Sequence, residues 1–85
     1  MKIQSVNIME VSDDKKTIQF RRNNVVKILY EMSGMSKECI GRIIFIDSNR
    51  VEIDASKEYK SDIRTILYDD IDLIKLIKRE QEKEE

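Results

Sequence analysis

The stretch that decides the fold is Cys39–Ile77, CIGRIIFIDSNRVEIDASKEYKSDIRTILYDDIDLIKLI. Its short apolar runs are separated by clusters of polar turn formers, which is the pattern of short β-strands joined by tight turns. The strictest alternation is found where Val51, Ile53 and Ala55 oppose charged side chains. The stretch therefore predicts an all-β structure.

The turn residues divide this stretch into short strands. Residues 47–50 (DSNR) predict a hairpin turn, and residues 56–61 (SKEYKS) predict a polar loop. Asp69-Asp70 predicts a tight turn or a single 3₁₀ turn. The predicted strands are 40–47, 51–55, 62–68 and 71–77.

Residues 40–47 are apolar on both faces, which suits a strand that bends. Side chains of equal parity share a face of a strand. Ile40, Ile44 and Ile46 are therefore expected on one face, with Ile43 and Phe45 on the other.

The N-terminal residues predict a hairpin. IQSVNIMEV (3–11) and TIQF (17–20) are β-type runs, and the polar break 12–16 lies between them. A single hairpin is marginally stable, so we expect it to pack on the rest of the chain.

Residues 25–31 (VVKILYE) alternate cleanly and predict another strand. A helix over 24–32 is the alternative, because four apolar residues also fit a 3.6-residue period: Val25, Ile28, Leu29 and Met32. Two adjacent β-branched residues favour the strand. The following residues 32–38 predict a loop with a positive φ at Gly34.

Length and composition indicate one small folded domain. The 85 residues are 40% hydrophobic and 39% charged, which excludes a disordered chain. We expect the domain to cover 1–78 and a solvated charged tail to cover 79–85. The strand and loop lengths predict a small barrel or a strongly bent sheet.

The same composition indicates a cytoplasmic protein without a membrane segment or signal peptide. No apolar run approaches the roughly 18 residues of a spanning helix. Cys39 is the only cysteine, which excludes an internal disulfide and is typical of a core thiol in a reducing compartment. The many isoleucines and the absence of proline suggest an AT-rich genome, such as that of a Gram-positive bacterium or one of its phages.

No catalytic motif is present, so we expect neither an enzyme nor a cofactor. The chain has no histidine and its two glycines are far apart, which excludes the common nucleophile and phosphate motifs. Tyr68-Asp69-Asp70 is similar to the paired aspartates that hold Mg²⁺ in polymerase palms, but a turn is the simpler interpretation. Asp69, Asp70 and Asp72 could form an acidic patch for a basic partner.

The charge is unevenly distributed. Residues 1–42 carry a net charge of +3 and residues 43–85 a net charge of −4. The best basic cluster could contact nucleic-acid phosphates, with Phe20 and Tyr30 close in sequence for stacking, or it could contact an anionic protein partner. A solvated hairpin face is the plainer interpretation. This cluster consists of Lys15, Lys16, Arg21, Arg22 and Lys27. Tyr59 is either an interface anchor or packed within its loop.

Within Cys39–Ile77, Gly41 is followed six residues later by Asp47, and a tight turn then leads into the alternating residues 51–54. This layout resembles the first motif of the Sm-like barrels, and the stretch as a whole resembles the Sm-like and SH3-like small barrels. Three apolar residues keep the spacing of the second motif: Ile66, Ile71 and Ile74. The resemblance implies a five- to six-stranded barrel with the N-terminal hairpin attached.

The positions that form the RNA pocket in Sm proteins are not matched. The turn after Asp47 lacks the Met-Asn pair of the family, and Leu67 and Tyr68 stand where the second motif has Arg and Gly. We therefore expect a non-enzymatic interaction module that binds a protein partner or itself, such as an accessory or inhibitor protein of a phage or mobile element. The alternative is a nucleic-acid-binding barrel that uses the basic N-terminal cluster.

Overall fold

The computed structural model describes residues 8–12 and 17–79. These residues form an all-β fold, as the sequence predicts, with a two-stranded and a five-stranded antiparallel sheet. The strands are β1 (Ile8–Ser12), β2 (Thr17–Arg21), β3 (Val25–Met32), β4 (Met35–Ile46), β5 (Arg50–Asp54), β6 (Ile63–Leu67) and β7 (Ile71–Lys78). A single 3₁₀ turn, Tyr68–Asp70, connects β6 to β7. In the described part of the chain, no helix is long and apolar enough to cross a membrane.

The larger sheet has the strand order β6-β5-β4-β3-β7. Strands β3 to β6 form a meander, and β7 then pairs with the other side of β3. The strand prediction for residues 25–31 is confirmed and the helix alternative is wrong. The predicted N-terminal hairpin is confirmed by β1 and β2, whereas residues 3–7 and 13–16 lie outside the described residues.

The sheet is rolled. Leu67 at the end of β6 pairs with Arg50, which is hydrogen-bonded to Asp47 just after β4. Ile71 at the start of β7 pairs with Tyr30, which pairs with Lys37 near the start of β4. Lys37 and Asp47 are ten residues apart along β4, which corresponds to about 33 Å in an extended strand. The connection Tyr68–Asp70 spans at most about 14 Å. Only a strongly coiled sheet brings its two edges close enough for this connection.

A bulge in β4 contributes to the coiling. Ile43 pairs with Ile53 and Phe45 pairs with Glu52, so Ile44 is an extra residue in β4. The extra residue shifts the alternation of inward and outward side chains by one position. Ile43 and Ile46 are therefore both buried, whereas Phe45 is exposed. The prediction that Ile40, Ile44 and Ile46 share one face is therefore wrong.

The predicted loop at residues 32–38 is also wrong. β3 and β4 continue through this region and are joined by a turn with positive φ at Ser33 (55°) and Gly34 (78°). The positive φ at Gly34 is confirmed. Residues 31–38 are all exposed, so this end of the hairpin projects beyond the core.

The core lies inside the rolled sheet. Both the sheet and the β1–β2 hairpin contribute to it, because Met9 and Phe20 belong to the same buried cluster as the sheet residues. Cys39 is buried in this cluster, and burial raises the pKa of its thiol, as expected of a structural cysteine. The other core residues lie in the larger sheet or, for Ala55, directly after β5: Val26, Ile28, Tyr30, Cys39, Ile43, Ile46, Val51, Ile53, Ala55 and Ile66.

Candidate functional site

The connection between β5 and β6 is a tight turn that holds Tyr59 in solvent. The backbones of Lys57 and Lys60 exchange two hydrogen bonds of 2.9 and 2.8 Å, which leaves Glu58 and Tyr59 at the tip. Tyr59 is 95% exposed. The alternative in which Tyr59 packs within its loop is therefore wrong, and its ring is available to a partner.

Hydrogen bonds at the base of this connection fix its position. The Ala55 amide donates to the Asp62 carbonyl (2.8 Å), and the Asp62 amide donates to Ser56 Oγ (2.9 Å). The Ser56 amide in turn donates to the Asp54 carboxylate (2.9 Å). Because these bonds order the backbone in advance, Tyr59 can be presented at a low entropic cost.

Arg64 ties the same connection to the β3–β4 hairpin. Its guanidinium donates to both carboxylate oxygens of Asp62 at 3.2 and 3.1 Å. It also donates to the Tyr30 hydroxyl (3.3 Å) and the Glu38 carbonyl (3.1 Å). This pairing with Arg64 lowers the pKa of Asp62.

Strand β6 forms one edge of the larger sheet. In the described part of the chain it pairs only with β5, so one side of its backbone is open. Ile63 and Leu67 on its outer face are each 50% exposed. We call this open strand, together with the Tyr59 turn, the β6 edge.

The acidic residues predicted as an interface lie at the connection from β6 to β7. Asp69 and Asp72 are exposed and Asp70 is half-buried. Tyr68 fixes this connection to the 47–50 turn, because its hydroxyl donates to the Asp47 carbonyl (2.7 Å). Within residues 8–12 and 17–79, no group of three or more Asp, Glu, Cys or His side chains is arranged to hold a metal ion.

The predicted basic cluster is only partly described. Arg21 and Arg22 are exposed, and Lys27 forms an ion pair with Glu38 at 3.3 Å. Lys15 and Lys16 lie outside the described residues. Phe20 and Tyr30 are buried, so the expectation that they stack on bases is wrong.

A second set of basic residues gathers on the outer face of β3, β4 and β7. Lys27 lies opposite Lys75, and Val25 lies between Arg42 and Lys78. These four basic residues, Lys27, Arg42, Lys75 and Lys78, come from three separate strands, which the strand register brings together. We call them the basic face.

The basic face could not be predicted from the sequence, because it depends on which strands pair. The only signal in the sequence is the presence of Lys75 and Lys78 in the last strand, and this has no meaning until β7 is placed beside β3. No family model matches the chain, and no curated protein or solved structure is significantly similar to it.

Proposed function

We propose that this chain is a non-enzymatic interaction module that binds a protein partner or a second copy of itself. The β6 edge carries the proposal. An open strand edge with half-exposed apolar side chains is a template for pairing with another chain. Ile63, Leu67 and the exposed ring of Tyr59 supply the apolar and aromatic contacts that such an interface needs.

We further propose that the fold is a small barrel of the Sm-like or SH3-like type. Three features support this: the rolled five-stranded sheet, the close approach of Gly41 to β5, and the Asp47 turn. A role as an accessory or inhibitor protein of a phage or mobile element, acting in the cytoplasm, fits a small module of this kind.

Light scattering after size exclusion tests self-association. We expect the wild-type mass to rise above that of a monomer with concentration, and the double variant Ile63→Lys/Leu67→Lys to stay monomeric. Charges on a strand edge oppose edge-to-edge pairing. Ile40→Lys is the matched control, because Ile40 is equally exposed (52%) but lies on the inner strand β4.

A pull-down from the source cells, with and without nuclease, tests for a protein partner. A protein partner remains after nuclease treatment and is lost with Tyr59→Ser or with the double variant. A monomeric wild type that captures no such protein would exclude the interaction role of the β6 edge.

A second candidate function, nucleic-acid binding, is favoured by the basic face. The basic face places four cations on three adjacent strands, which suits contacts with phosphates. Arg21 and Arg22, a few residues before Lys27 in the sequence, are also exposed. The affinity for nucleic acid would fall steeply as the salt concentration rises, and Lys75→Glu would lower the affinity. A mobility shift that is absent even at low salt would exclude this function.

A further inference from the structure

An open groove of about 670 Å³ lies between the β1–β2 hairpin and the start of β7. This volume is within the range of about 300–1,000 Å³ that is usual for ligand sites. None of Tyr59, Ile63 and Leu67 lines the groove, whereas Tyr68, the residue after Leu67, lines it together with Asp47 and Ser48 of the 47–50 turn.

The strands border the groove in different ways. β2 contributes only the alternate residues Ile18 and Phe20, as a strand does when one face is turned toward a space. β1 contributes all of the residues Ile8–Ser12, and β7 contributes four in succession, Ile71–Ile74. Successive residues point to opposite faces, so both β1 and β7 present an edge to the groove.

Both of these edges are open in the described residues. β1 pairs only with β2, and β7 pairs only with β3. Their amide and carbonyl groups on the groove side are therefore available for hydrogen bonds to an added strand.

The side chains around the groove indicate the composition of its occupant. Val11 is 36% exposed and Leu73 is 46% exposed, and Ile18 packs between the groove and the core. These apolar side chains need apolar side chains of a partner to cover them.

The charged residues around the groove are acidic. Glu10 accepts a hydrogen bond from Gln19 Nε2 (3.1 Å), and Asp72 is exposed at the bulge in β7. The Asp47 carboxylate is already bonded to Arg50 and to the backbone of its own turn. Asp72 therefore remains to attract a cation, and an acidic residue at the rim of a site favours a basic partner.

We propose that the groove binds an extended segment of a partner protein, which adds as a strand beside β1 or β7. Such strand addition takes its affinity from main-chain hydrogen bonds and its specificity from alternate side chains. The segment has apolar residues at alternate positions and at least one Lys or Arg for Asp72. This inference rests on the proposed interaction function and names the partner class for a surface other than the β6 edge.

Selection from a random peptide library tests the proposal. Peptides about ten residues long, the upper length of ordinary strands, are displayed and selected on the full chain. We expect the enriched peptides to alternate apolar and polar residues and to contain Lys or Arg. Methylation of alternate backbone nitrogens on the bonded side of a selected peptide should abolish its binding, because it removes the donors of the added strand.

Two variants of the full chain locate the binding. Asp72→Lys should weaken a selected peptide about tenfold or more, because it puts like charges opposite each other. Ser36→Lys adds a lysine at an exposed position of β4, outside both the groove and the β6 edge, and should change binding by less than about twofold. Circular dichroism checks that both variants fold.

Other results would overturn the proposal. These are the absence of any enriched peptide, enriched peptides without basic residues or alternation, and equal binding to Asp72→Lys and the wild type. A second copy of the chain as the occupant would show as self-association that Asp72→Lys alters and Ile63→Lys/Leu67→Lys does not, and this too would overturn it. Because the β6 edge is tested by different variants, failure here leaves the proposed function standing.

Discussion

Gly41 lies at a close approach of β4 to β5. A Cβ atom at this position would overlap the carbonyl oxygen of Asp54 and lie 2.8 Å from Ile53 Cγ2. The backbone oxygen cannot move without opening the β4–β5 ladder. We expect Gly41→Ala to lower the free energy of unfolding by about 1–3 kcal/mol, as measured by urea titration.

Gly34→Ala is the matched control for this prediction. A Cβ atom there would have no neighbour within 4 Å, but the φ of 78° is unfavourable for alanine. We therefore expect Gly34→Ala to lower the free energy of unfolding by about 1 kcal/mol, because of backbone strain alone. If Gly41→Ala cost less than Gly34→Ala, close packing between β4 and β5 would not be the reason for the glycine.

Asp47 holds the 47–50 turn with its carboxylate. Oδ1 accepts from the amides of Asn49 (2.8 Å) and Arg50 (2.9 Å), and Oδ2 accepts from the Arg50 guanidinium (2.8 Å). These backbone hydrogen bonds lower the pKa of Asp47 in the folded protein. The pKa values of Asp54 and Asp62 are lowered as well, by bonds from Ser56 and from Arg64.

A pKa that is lower in the folded state makes stability depend on pH. The contribution of such a carboxylate is fully present above the ordinary value of 3.8 and is lost as the pH falls through the lowered folded value. We expect the urea midpoint to be level near neutral pH and to fall as the pH drops toward and below 3.8. Asp47→Asn should reduce this slope, whereas Glu58→Gln at the exposed turn tip should leave it unchanged. Equal slopes in the wild type and Asp47→Asn would contradict the role of Asp47.

The β3–β4 hairpin contains strand residues that the hydrophobic pattern of the sequence does not predict. The strands 25–31 and 51–55 could be predicted because one face of each is buried, and burial imposes the alternation of apolar residues. Residues 31–38 are all exposed, so nothing selects for alternation and the sequence has the composition of a loop. The strand continues there because cross-strand hydrogen bonds and a two-residue turn are sufficient.

The turn of this hairpin yields a testable change. Positive φ at both Ser33 and Gly34 is typical of a type I′ turn, in which Asn-Gly is the preferred pair. We expect Ser33→Asn to raise the free energy of unfolding by about 0.5 kcal/mol, which thermal unfolding can measure. Ser33→Val should lower it by about 1–2 kcal/mol, because a β-branched residue does not tolerate this backbone conformation. A gain with valine would show that the turn has another geometry.

The positions of the basic face and the groove depend on the order of the strands in the larger sheet. Tyr59, Asp69, Asp70 and Asp72 could be named as candidates from the sequence, because Tyr59 lies in one connection and the three aspartates lie in or next to another. The basic face and the groove could not, because they join residues that are distant in the chain and meet only when β7 returns to β3. Hydrophobic periodicity predicts strands but does not specify which edges pair.

The return of β7 to β3 should therefore be essential for folding. β3 is hydrogen-bonded to β4 on one side and to β7 on the other, and Ile71, Ile74 and Leu76 pack against the core. A chain that ends at Asp70 would leave the buried residues of β3 beside an unpaired edge. Small domains have little stability to spare, so we expect this truncated chain to be unfolded by circular dichroism and to lack dispersed amide signals in NMR spectra.

A chain that ends at Arg79 is the matched control. It removes only residues 80–85 (EQEKEE), which contain no apolar side chain, and it keeps the whole of β7. We expect its free energy of unfolding to stay within about 0.5 kcal/mol of the full chain. If the chain ending at Asp70 also unfolded cooperatively, β3 to β6 would fold without their last strand. The rolled sheet would then not depend on β7, and the groove and the basic face would lie on an element that the fold does not require.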